Sequence, residues 1–349
     1  MSPPATPLVF DGHNDALLWL WKAGAKTAAA QFQSKETGHL DLRRAQAGGF
    51  AGGLFALFAP PEGMFKMPDF SPPYDEPLPE VVPEDRALRA ITAQAGILLS
   101  LDRAGLLRLC RTVTEIEAAM ADGKIAAVMH MEGAEAIGPD LTALDVLYAA
   151  GLRSLGPVWS RPTIFGHGVP FRFPSDPDIG PGLTEAGKAL VARCGALGIV
   201  VDTSHLNLKG FWDVAEAGLP LVATHSNAHA ISPGARNLTD DQLRAIGETK
   251  GMVGLNFGTM FLNEDGRAAR DRGLDILLRH LDHMLDRAGE AHVGLGSDFD
   301  GAPVPKELAS AAELGALRTA MADHGYGADL IERICHGNWL AFLRRTWGN

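Results

Sequence analysis

The hydrophobic positions of this chain form two alternating patterns. Eight short apolar runs, most of them bounded by glycine or polar residues, are typical of buried parallel strands. The predicted strands are Leu8–Gly12, Phe50–Phe58, Ile125–Met131, Leu152–Val158, Gly198–Asp202, Leu219–Thr224, Met252–Phe257 and His292–Ser297. Elsewhere apolar residues recur every three or four positions, which predicts helices. The predicted helices are Pro83–Leu107, Val113–Ala121, Leu141–Ala150, Thr184–Leu197, Leu208–Ala217, Asp240–Thr249, Gly273–Ala288 and Leu330–Leu343.

This alternation predicts an α/β fold, a (β/α)8 or TIM barrel in which strands and helices follow one another around a closed sheet. The chain is expected to form a single domain over residues 1–349. A doubly wound sheet is the competing interpretation. The first strand–helix turn lacks the GxGxxG pattern that would favour that alternative.

Two long segments rich in proline interrupt the alternation, at Pro60–Pro83 and from Pro157 to Gly182. Both follow predicted strands, so both are expected on the C-terminal face of the barrel, which carries the active sites of such enzymes. Long ordered loops in that position usually form walls or lids.

The composition narrows the function classes. The formal net charge is −11 and no run is rich in lysine or arginine, which argues against a nucleic-acid or anionic-membrane partner. No apolar run is long enough to span a bilayer, and Met1–Pro7 lacks the features of a secretory signal, so a cytoplasmic protein is expected. Cys110, Cys194 and Cys335 are far apart, which predicts neither a disulfide framework nor a cysteine zinc site.

Residues of the types that bind metals follow the predicted strands. Five of the eight strand ends carry an acid or a histidine: His13 and Asp15 after the first strand, Glu132 at the third, His205 after the fifth, His225 at the sixth and Asp298 at the eighth. Each residue alone has a structural interpretation, such as a satisfied core histidine or, for Asp298, a helix cap. Since structural residues have no reason to share one face of a barrel, the joint pattern predicts a single site.

The residue types in this set suit zinc. His13 and Asp15, two positions apart, point to the same side if the strand continues through them, and imidazole and carboxylate together are zinc ligands. Three histidines, two aspartates and one glutamate exceed what one tetrahedral ion needs. Two metals, about 3.5 to 4 Å apart, would use the set better, and Glu132 is the natural bridge. The other histidines, including His130, are interpreted as structural.

Several ordered segments resemble the membrane (renal-type) dipeptidase family of zinc peptidases, in its bacterial cytoplasmic branch. The resemblance extends from about Val9 to Leu343. The segments that carry it are DGHND at Asp11–Asp15, EGAEAIG from Glu132, GLT from Gly182, VDTSH ending at His205, THSNA from Thr224, ARNLTDD at Ala235–Asp241 and GLGSDFDG from Gly294.

The resemblance implies two zinc ions per chain. His13 and Asp15 would bind one ion, His205 and His225 the other, and Glu132 would bridge them. Other divalent metals such as manganese or cobalt can occupy the same ligands.

The resemblance also implies roles for two further residues. Asp298 would take a proton from a water held between the ions and pass it to the leaving amine. Arg236, in ARNLTDD, would bind the terminal carboxylate of the substrate, a task that suits a guanidinium group. A homodimer is implied as well.

The chain departs from the family pattern after the fourth strand. Family members usually carry a histidine there that polarises the scissile carbonyl, whereas this chain has Trp159. His167, in the same loop, is one candidate for the missing role, and Arg161 is another. We therefore group Trp159, Arg161 and His167 with Arg236 as candidate substrate-binding residues.

These observations predict a zinc-dependent dipeptidase that cleaves a small peptide substrate. The two proline-rich loops would limit the length of that substrate. A metal-dependent N-acyl amino acid deacylase is one alternative, because its substrates also end in a carboxylate that Arg236 would bind. A metal-binding relative without catalytic activity is another alternative. Trp159, in place of the usual histidine, favours it, whereas Asp298, the implied proton shuttle, argues against it.

Overall fold

A closed barrel of eight parallel strands forms the centre of the molecule. The computed structural model describes residues 7–61 and 68–348; the predicted loop Pro60–Pro83 lies partly outside the described residues, as does most of the Met1–Pro7 segment. The barrel strands are β1 (Val9–Asn14), β2 (Phe50–Phe58), β3 (Ala126–Glu132), β4 (Leu152–Gly156), β5 (Val200–Val201), β6 (Val222–Ser226), β7 (Met252–Leu255) and β8 (Val293–Leu295).

The pairing of the strands closes the sheet on itself. Neighbouring strands follow the order β5-β4-β3-β2-β1-β8-β7-β6, and all of these pairs are parallel. A parallel bridge between Asp202 and Val222 joins the two ends of this order, and the backbone N–H of Thr203 donates to the carbonyl of Val222 at 2.7 Å. The predicted barrel and its eight strands are confirmed.

Helices follow the strands around the outside of the barrel, as predicted. Their bounds are Ala16–Ala23, Ala28–Gln33, Leu42–Gly48, Glu84–Arg103, Val113–Ala121, Thr142–Ala150, Glu185–Leu197, Leu208–Glu216, Asp240–Glu248, Thr259–Leu262, Asp275–Ala288, Leu314–Asp323, Ala328–Glu332 and Asn338–Trp347, with a π-helical turn at Arg333–Gly337 and 3-10 turns at Lys306–Leu308 and Ala311–Glu313. No helix in these described stretches is both long and apolar enough to cross a bilayer.

The structure differs from the sequence prediction in some elements. Three short helices between β1 and β2 were not predicted, although Asp41 caps the last of them by accepting a hydrogen bond from the backbone N–H of Arg44. Strand β5 is shorter than predicted because Gly198 ends the preceding helix in the left-handed conformation, with φ of 70°. The predicted last helix is interrupted by the π-helical turn Arg333–Gly337.

Close contact with the neighbouring strands explains why two glycines stand in β2. A Cβ atom on Gly52 would lie 2.5 Å from the carbonyl oxygen of Ala126, and one on Gly53 would lie 2.6 Å from that of Asp11. Glycine at both positions therefore lets β2 pack closely between β1 and β3. Trp339 of the last helix packs in a buried cluster with Phe10 and Ala126 and donates its indole N–H to the carbonyl of Leu295 at 2.9 Å.

The two proline-rich loops meet above the C-terminal ends of the strands. Tyr74–Asp75 in the first loop pairs antiparallel with Arg172–Phe173 in the second. Phe70 and Phe171, one from each loop, line the cavity that opens at this end of the barrel. The prediction that these loops form walls on the active-site face is confirmed for their described residues.

Candidate active site

All six metal-type residues predicted from the sequence are buried and gather at the C-terminal ends of the strands. His13 and Glu132 lie within β1 and β3, and His225 lies within β6. The other three stand in the turns that directly follow strands. The set consists of His13, Asp15, Glu132, His205, His225 and Asp298, each with a relative exposure of 8% or less.

Glu132 stands at the centre of this group. Its Oε1 lies 2.9 Å from Nε2 of His205 and 3.6 Å from Nε2 of His225, whereas its Oε2 lies 3.8 Å from Nε2 of His13. The same nitrogen of His13 lies 3.4 Å from Oδ2 of Asp15. The two carboxylate oxygens of Glu132 therefore face two different sets of donors.

Hydrogen bonds at the Nδ1 atom, on the side of the ring away from the centre of the group, orient two of the imidazoles. Nδ1 of His205 lies 2.9 Å from the hydroxyl of Ser160, and Nδ1 of His225 lies 2.8 Å from the hydroxyl of Thr224. Both rings thus turn Nε2 toward the centre of the group, where the two nitrogens are 3.1 Å apart. Hydrogen bonding of the outer ring nitrogen is the usual way in which proteins fix a metal-binding histidine.

Burial controls the protonation of the group. It lowers the pKa of His205 and of His225 well below the ordinary value, so both rings are neutral, the form that binds metals. Burial raises the pKa of Glu132 well above its usual range. Burial also lowers the pKa of His13, but the charges of Glu132, Asp15 and Asp298 outweigh it and raise that pKa to about 10.

The donor set fits a divalent metal. Neither ring nitrogen of His13 has a hydrogen-bond partner among the described residues, although the ring is fully buried. Ligand atoms of His13, Glu132 and His225 lie within 4.8 Å of one another, as do those of His13, Asp15 and Asp298. Buried carboxylates at this density are costly unless a cation is among them. The site is therefore a buried metal-binding group of histidines and carboxylates.

Asp298 is held at this group by its neighbours. The side-chain amide of Asn256 donates to Oδ2 of Asp298 at 3.0 Å. Oδ1 of Asp298 lies close to residue 301, which is possible because that residue is glycine. A Cβ atom there would lie 2.2 Å from Oδ1 of Asp298 and 2.2 Å from Oδ2 of Asp15. Burial raises the pKa of the Asp298 carboxyl above its ordinary value.

The turn that carries Asp298 has an unusual backbone. Asp298 and Asp300 both have positive φ, 57° and 69°, a conformation that costs energy in residues other than glycine. Contacts on both sides hold it. The buried Asp11 carboxylate accepts from the backbone N–H of Ser297 at 2.6 Å and from its hydroxyl at 2.8 Å, and Lys35 pairs with Asp300 at 2.6 Å.

Asp300 joins this turn to the segment after β1. One carboxylate oxygen accepts from Lys35, and the other accepts from the backbone N–H of His39 at 2.6 Å. Its backbone N–H donates to Nδ1 of His39 at 2.8 Å, and its carbonyl accepts from the indole of Trp19 at 2.7 Å. Trp19, Lys35 and His39 thus support the turn that carries Asp298, a role that their sequence did not reveal.

Arg236 reaches the same group from the segment after β6. Its guanidinium donates to the carbonyls of Ser204 and His225, and Nη2 lies 3.4 Å from Nε2 of His205. Nε has no hydrogen-bond partner among the described residues. Burial lowers the pKa of Arg236 to about 10, so the group still carries its charge at neutral pH.

One cavity of about 260 Å³ connects these residues to the surface. Asp15, Glu132, His205, His225, Arg236 and Asp298 all line it. Trp159, the residue at the place of the usual histidine, also lines the cavity, with its ring centroid 5.9 Å from that of His205. The structure therefore brings Trp159 and Arg236 to the predicted site.

Two other predicted substrate residues lie elsewhere. His167 is half-buried and is not among the described lining residues. Arg161 is fully buried behind the cavity, where it pairs with Glu135 at 2.6 Å. Its guanidinium lies 5.3 Å from the ring centroid of Trp159. Their positions in this structure do not support contact between either side chain and a scissile carbonyl, because neither opens into the cavity.

Asn256 and Gly301 are the site residues that the sequence reasoning missed. Asn256 directly follows β7, so the strand-end rule that found the other residues also applied to it. Gly301 is the last residue of the GLGSDFDG segment that begins at Gly294. Nothing in that segment indicates how close the glycine lies to the carboxylates.

Comparisons with known proteins place the site among metallopeptidases. Residues 5–347 match the model of the family described as membrane dipeptidase (peptidase family M19). A crystal structure of a family M19 metallopeptidase called dipeptidase AC is 54% identical, with a TM-score of 0.96 over 99% of this chain and 100% of that one. A metallopeptidase from Rhodobacter sphaeroides, solved with a phosphinate mimic of the dipeptide L-Ala-D-Ala, is 53% identical, with a TM-score of 0.95 over 98% and 100%.

A curated relative extends the same similarity. An uncharacterized protein from Acinetobacter calcoaceticus is 43% identical over 290 residues, which cover 82% of this chain and 91% of that protein.

Proposed function

The chain belongs to the membrane dipeptidase family, peptidase family M19, whose enzymes are metallo-dipeptidases. We propose that it hydrolyses the peptide bond of dipeptides at a buried two-zinc site. In this proposal residues 1–349 form one catalytic domain. Of the relatives above, the enzyme from Rhodobacter sphaeroides binds a mimic of L-Ala-D-Ala. That ligand supports a dipeptide as the substrate class for this chain too.

The proposed metal ligands divide into two sets. His13 and Asp15 would hold one ion, His205 and His225 would hold the other, and Glu132, whose oxygens face both sets, would bridge them. When bound, the ions supply Lewis acidity, which polarises the scissile carbonyl and lowers the pKa of a nearby water.

Asp298 is the proposed general base and acid. Its carboxylate lines the cavity beside Asp15, and Asn256 holds one of its oxygens. In that position it accepts a proton from the attacking water and passes it to the nitrogen of the leaving amino acid. The bond between the carbonyl carbon and that nitrogen breaks, and two free amino acids result.

Arg236 is the proposed anchor for the C-terminal carboxylate of the substrate. Among the described residues that line the cavity, it is the one buried arginine or lysine. This position carries the proposal, because a fixed cation within 3.4 Å of a metal-type histidine suits a substrate whose carboxylate lies one residue from the scissile bond. An N-acyl amino acid would meet the same requirement, so the test includes that class.

The test is hydrolysis of a dipeptide library, with L- and D-residues at the C-terminal position, by the zinc-reconstituted protein. We expect amino acid release that falls by at least about 100-fold in Asp298→Asn. Arg236→Met should raise KM for dipeptides far more than for the matching dipeptide amides, which lack the carboxylate. Gly96→Ala, on an outer helix with open space around the added methyl, serves as the control variant. Hydrolysis of N-acyl amino acids alone would replace the proposal with deacylation.

A further inference from the structure

Two apolar groups line the cavity beside the charged residues. The Trp159 group contains Leu18, Phe58 and Trp159; the Met260 group contains Phe70, Met260, Phe261 and Ala302. All seven residues line the cavity. Phe171 packs against both groups, with its ring centroid 5.8 Å from that of Trp159 and 6.0 Å from that of Phe261.

We propose that these two groups bind the two side chains of the dipeptide separately: the Met260 group the C-terminal side chain and the Trp159 group the N-terminal one. The enzyme then selects dipeptides with apolar, and especially aromatic, side chains. This assignment of substrate class rests on the proposed dipeptidase function.

The position of Arg236 assigns the Met260 group. The guanidinium carbon of Arg236 lies 5.4 Å from the ring centroid of Phe261. A carboxylate bound by Arg236 belongs to the C-terminal residue, so the side chain on the same Cα atom lies within reach of Phe261 and its neighbours. Met260 and Phe70, 2% and 6% exposed, form the buried part of this surface. Methionine adapts its shape to different apolar partners.

The position of His205 assigns the Trp159 group. The scissile carbonyl must lie at the metal-type residues, and the N-terminal residue continues beyond it, away from Arg236. Trp159 stands beside His205 at 5.9 Å and packs edge-on against Phe58 at 5.1 Å. Arg161, in a buried ion pair with Glu135, packs against this pair, with its guanidinium carbon 5.1 Å from the Phe58 ring centroid.

The chemistry of the wall excludes charged side chains. Lys22 also lines the cavity, but its side chain is exposed. A charged substrate side chain against either group would lose water without gaining a charged partner within that group, which is costly. An acidic one would also meet the carboxylates of Asp15, Glu132 and Asp298. Aromatic side chains, by contrast, gain both burial and edge-to-face packing.

The experiment compares Gly-Gly, Gly-Phe, Phe-Gly, Phe-Phe, Gly-Glu and Gly-Lys, with the C-terminal chirality that the enzyme accepts. In the wild type we expect kcat/KM for Gly-Phe and for Phe-Gly to exceed that for Gly-Gly by about 10- to 100-fold each. Phe261→Ala should lower the Gly-Phe to Gly-Gly ratio by about 10-fold and leave the Phe-Gly ratio unchanged. Phe58→Ala should do the reverse.

Ratios of kcat/KM for two peptides, measured within one variant, are independent of how much of the protein is folded. Phe261→Leu and Phe58→Leu provide milder versions of the same comparison. If both ratios fall together in either variant, or if the wild type prefers Gly-Glu or Gly-Lys to Gly-Phe, the assignment is overturned while the dipeptidase proposal stands. If none of the peptides is hydrolysed, the proposed function fails, and the assignment fails with it.

Discussion

The side-chain amide of Asn256 donates a hydrogen bond of 3.0 Å to Oδ2 of Asp298. The backbone N–H of Gly258 donates in turn to Oδ1 of Asn256 at 2.6 Å, which fixes the amide with its NH2 group toward the carboxylate. Asn227 holds the backbone of Asn256 on both sides, as donor to its carbonyl and as acceptor from its N–H. Two hydrogen-bonded asparagines, Asn227 at the end of β6 and Asn256 at the end of β7, thus position the proposed general base.

Replacement of Asn256 tests this support. Asn256→Ala leaves Asp298 free to rotate, so we expect kcat to fall by about 100-fold with little change in KM, because Arg236 still anchors the substrate. Steady-state kinetics and a thermal melt of the same sample measure both effects. An unchanged kcat, or a change confined to KM, would show that Asn256 does not position the base.

Gly301 lets two carboxylates approach each other. Because an added Cβ would lie 2.2 Å from an oxygen of Asp15 and 2.2 Å from one of Asp298, Gly301→Ala should displace both and reduce kcat/KM by about 100-fold or more. Gly96→Ala, where the methyl meets nothing within 4 Å, is the matched control and should keep wild-type kinetics. Equal activity of the two variants would contradict the role of Gly301 in shaping the site.

The pair Lys35–Asp300 is a buried ion pair that holds the turn carrying Asp298, with side chains 6% and 0% exposed. Lys35→Met leaves the Asp300 carboxylate buried without its cation, so we expect a loss of about 3 to 5 kcal/mol in the free energy of unfolding. Urea unfolding monitored by circular dichroism measures the loss. Lys188→Met removes the exposed pair with Glu185, 53% and 93% exposed, and should not shift the midpoint. Similar behaviour of the two variants would contradict the proposed support.

His280 makes stability depend on pH. The ring is buried, accepts from the backbone N–H of Ala228 at 3.1 Å and lies 2.9 Å from the carbonyl of Leu262. Burial lowers its pKa from 6.5 to about 4. Between these values the unfolded chain takes up a proton that the folded chain does not, so the contribution of this group is present above pH 6.5 and is lost as the pH falls toward 4.

Wild-type protein, stripped of metal, should therefore lose about 2 kcal/mol more stability than His280→Asn between pH 7 and pH 5. Urea unfolding of both proteins at several pH values measures the difference. Identical pH dependence in the two proteins would contradict this role of His280, as would a steeper loss in the variant.

The sequence predicted the barrel and the metal-type residues for one physical reason. In a closed parallel sheet, every strand delivers the residue after its end to the same face, so His205 and Asp298 come together although they lie far apart in the sequence. Predictions that needed only strand order, such as the place of Glu132, followed from the apolar runs alone.

Features that depend on distance could not be predicted in this way. The role of Gly301 depends on distances of a few ångströms to two carboxylates, and the pair Lys35–Asp300 joins positions 265 residues apart. The geometry of the loops could not be predicted either. Arg161 forms an ion pair with Glu135, and His167 is not among the cavity-lining residues. Asn256 could have been predicted because it directly follows β7, as other site residues follow their strands. Its side-chain amide is not a typical metal ligand, so the strand-end pattern of acids and histidines did not include it.

The most direct test of the proposed two-zinc dipeptidase is a zinc titration of metal-stripped protein during dipeptide hydrolysis. We expect no activity before zinc is added, a rise to a maximum at two zinc ions per chain and no recovery in Glu132→Ala at any ratio. Substantial hydrolysis by the metal-free protein, or full activity in Glu132→Ala, would contradict the proposal.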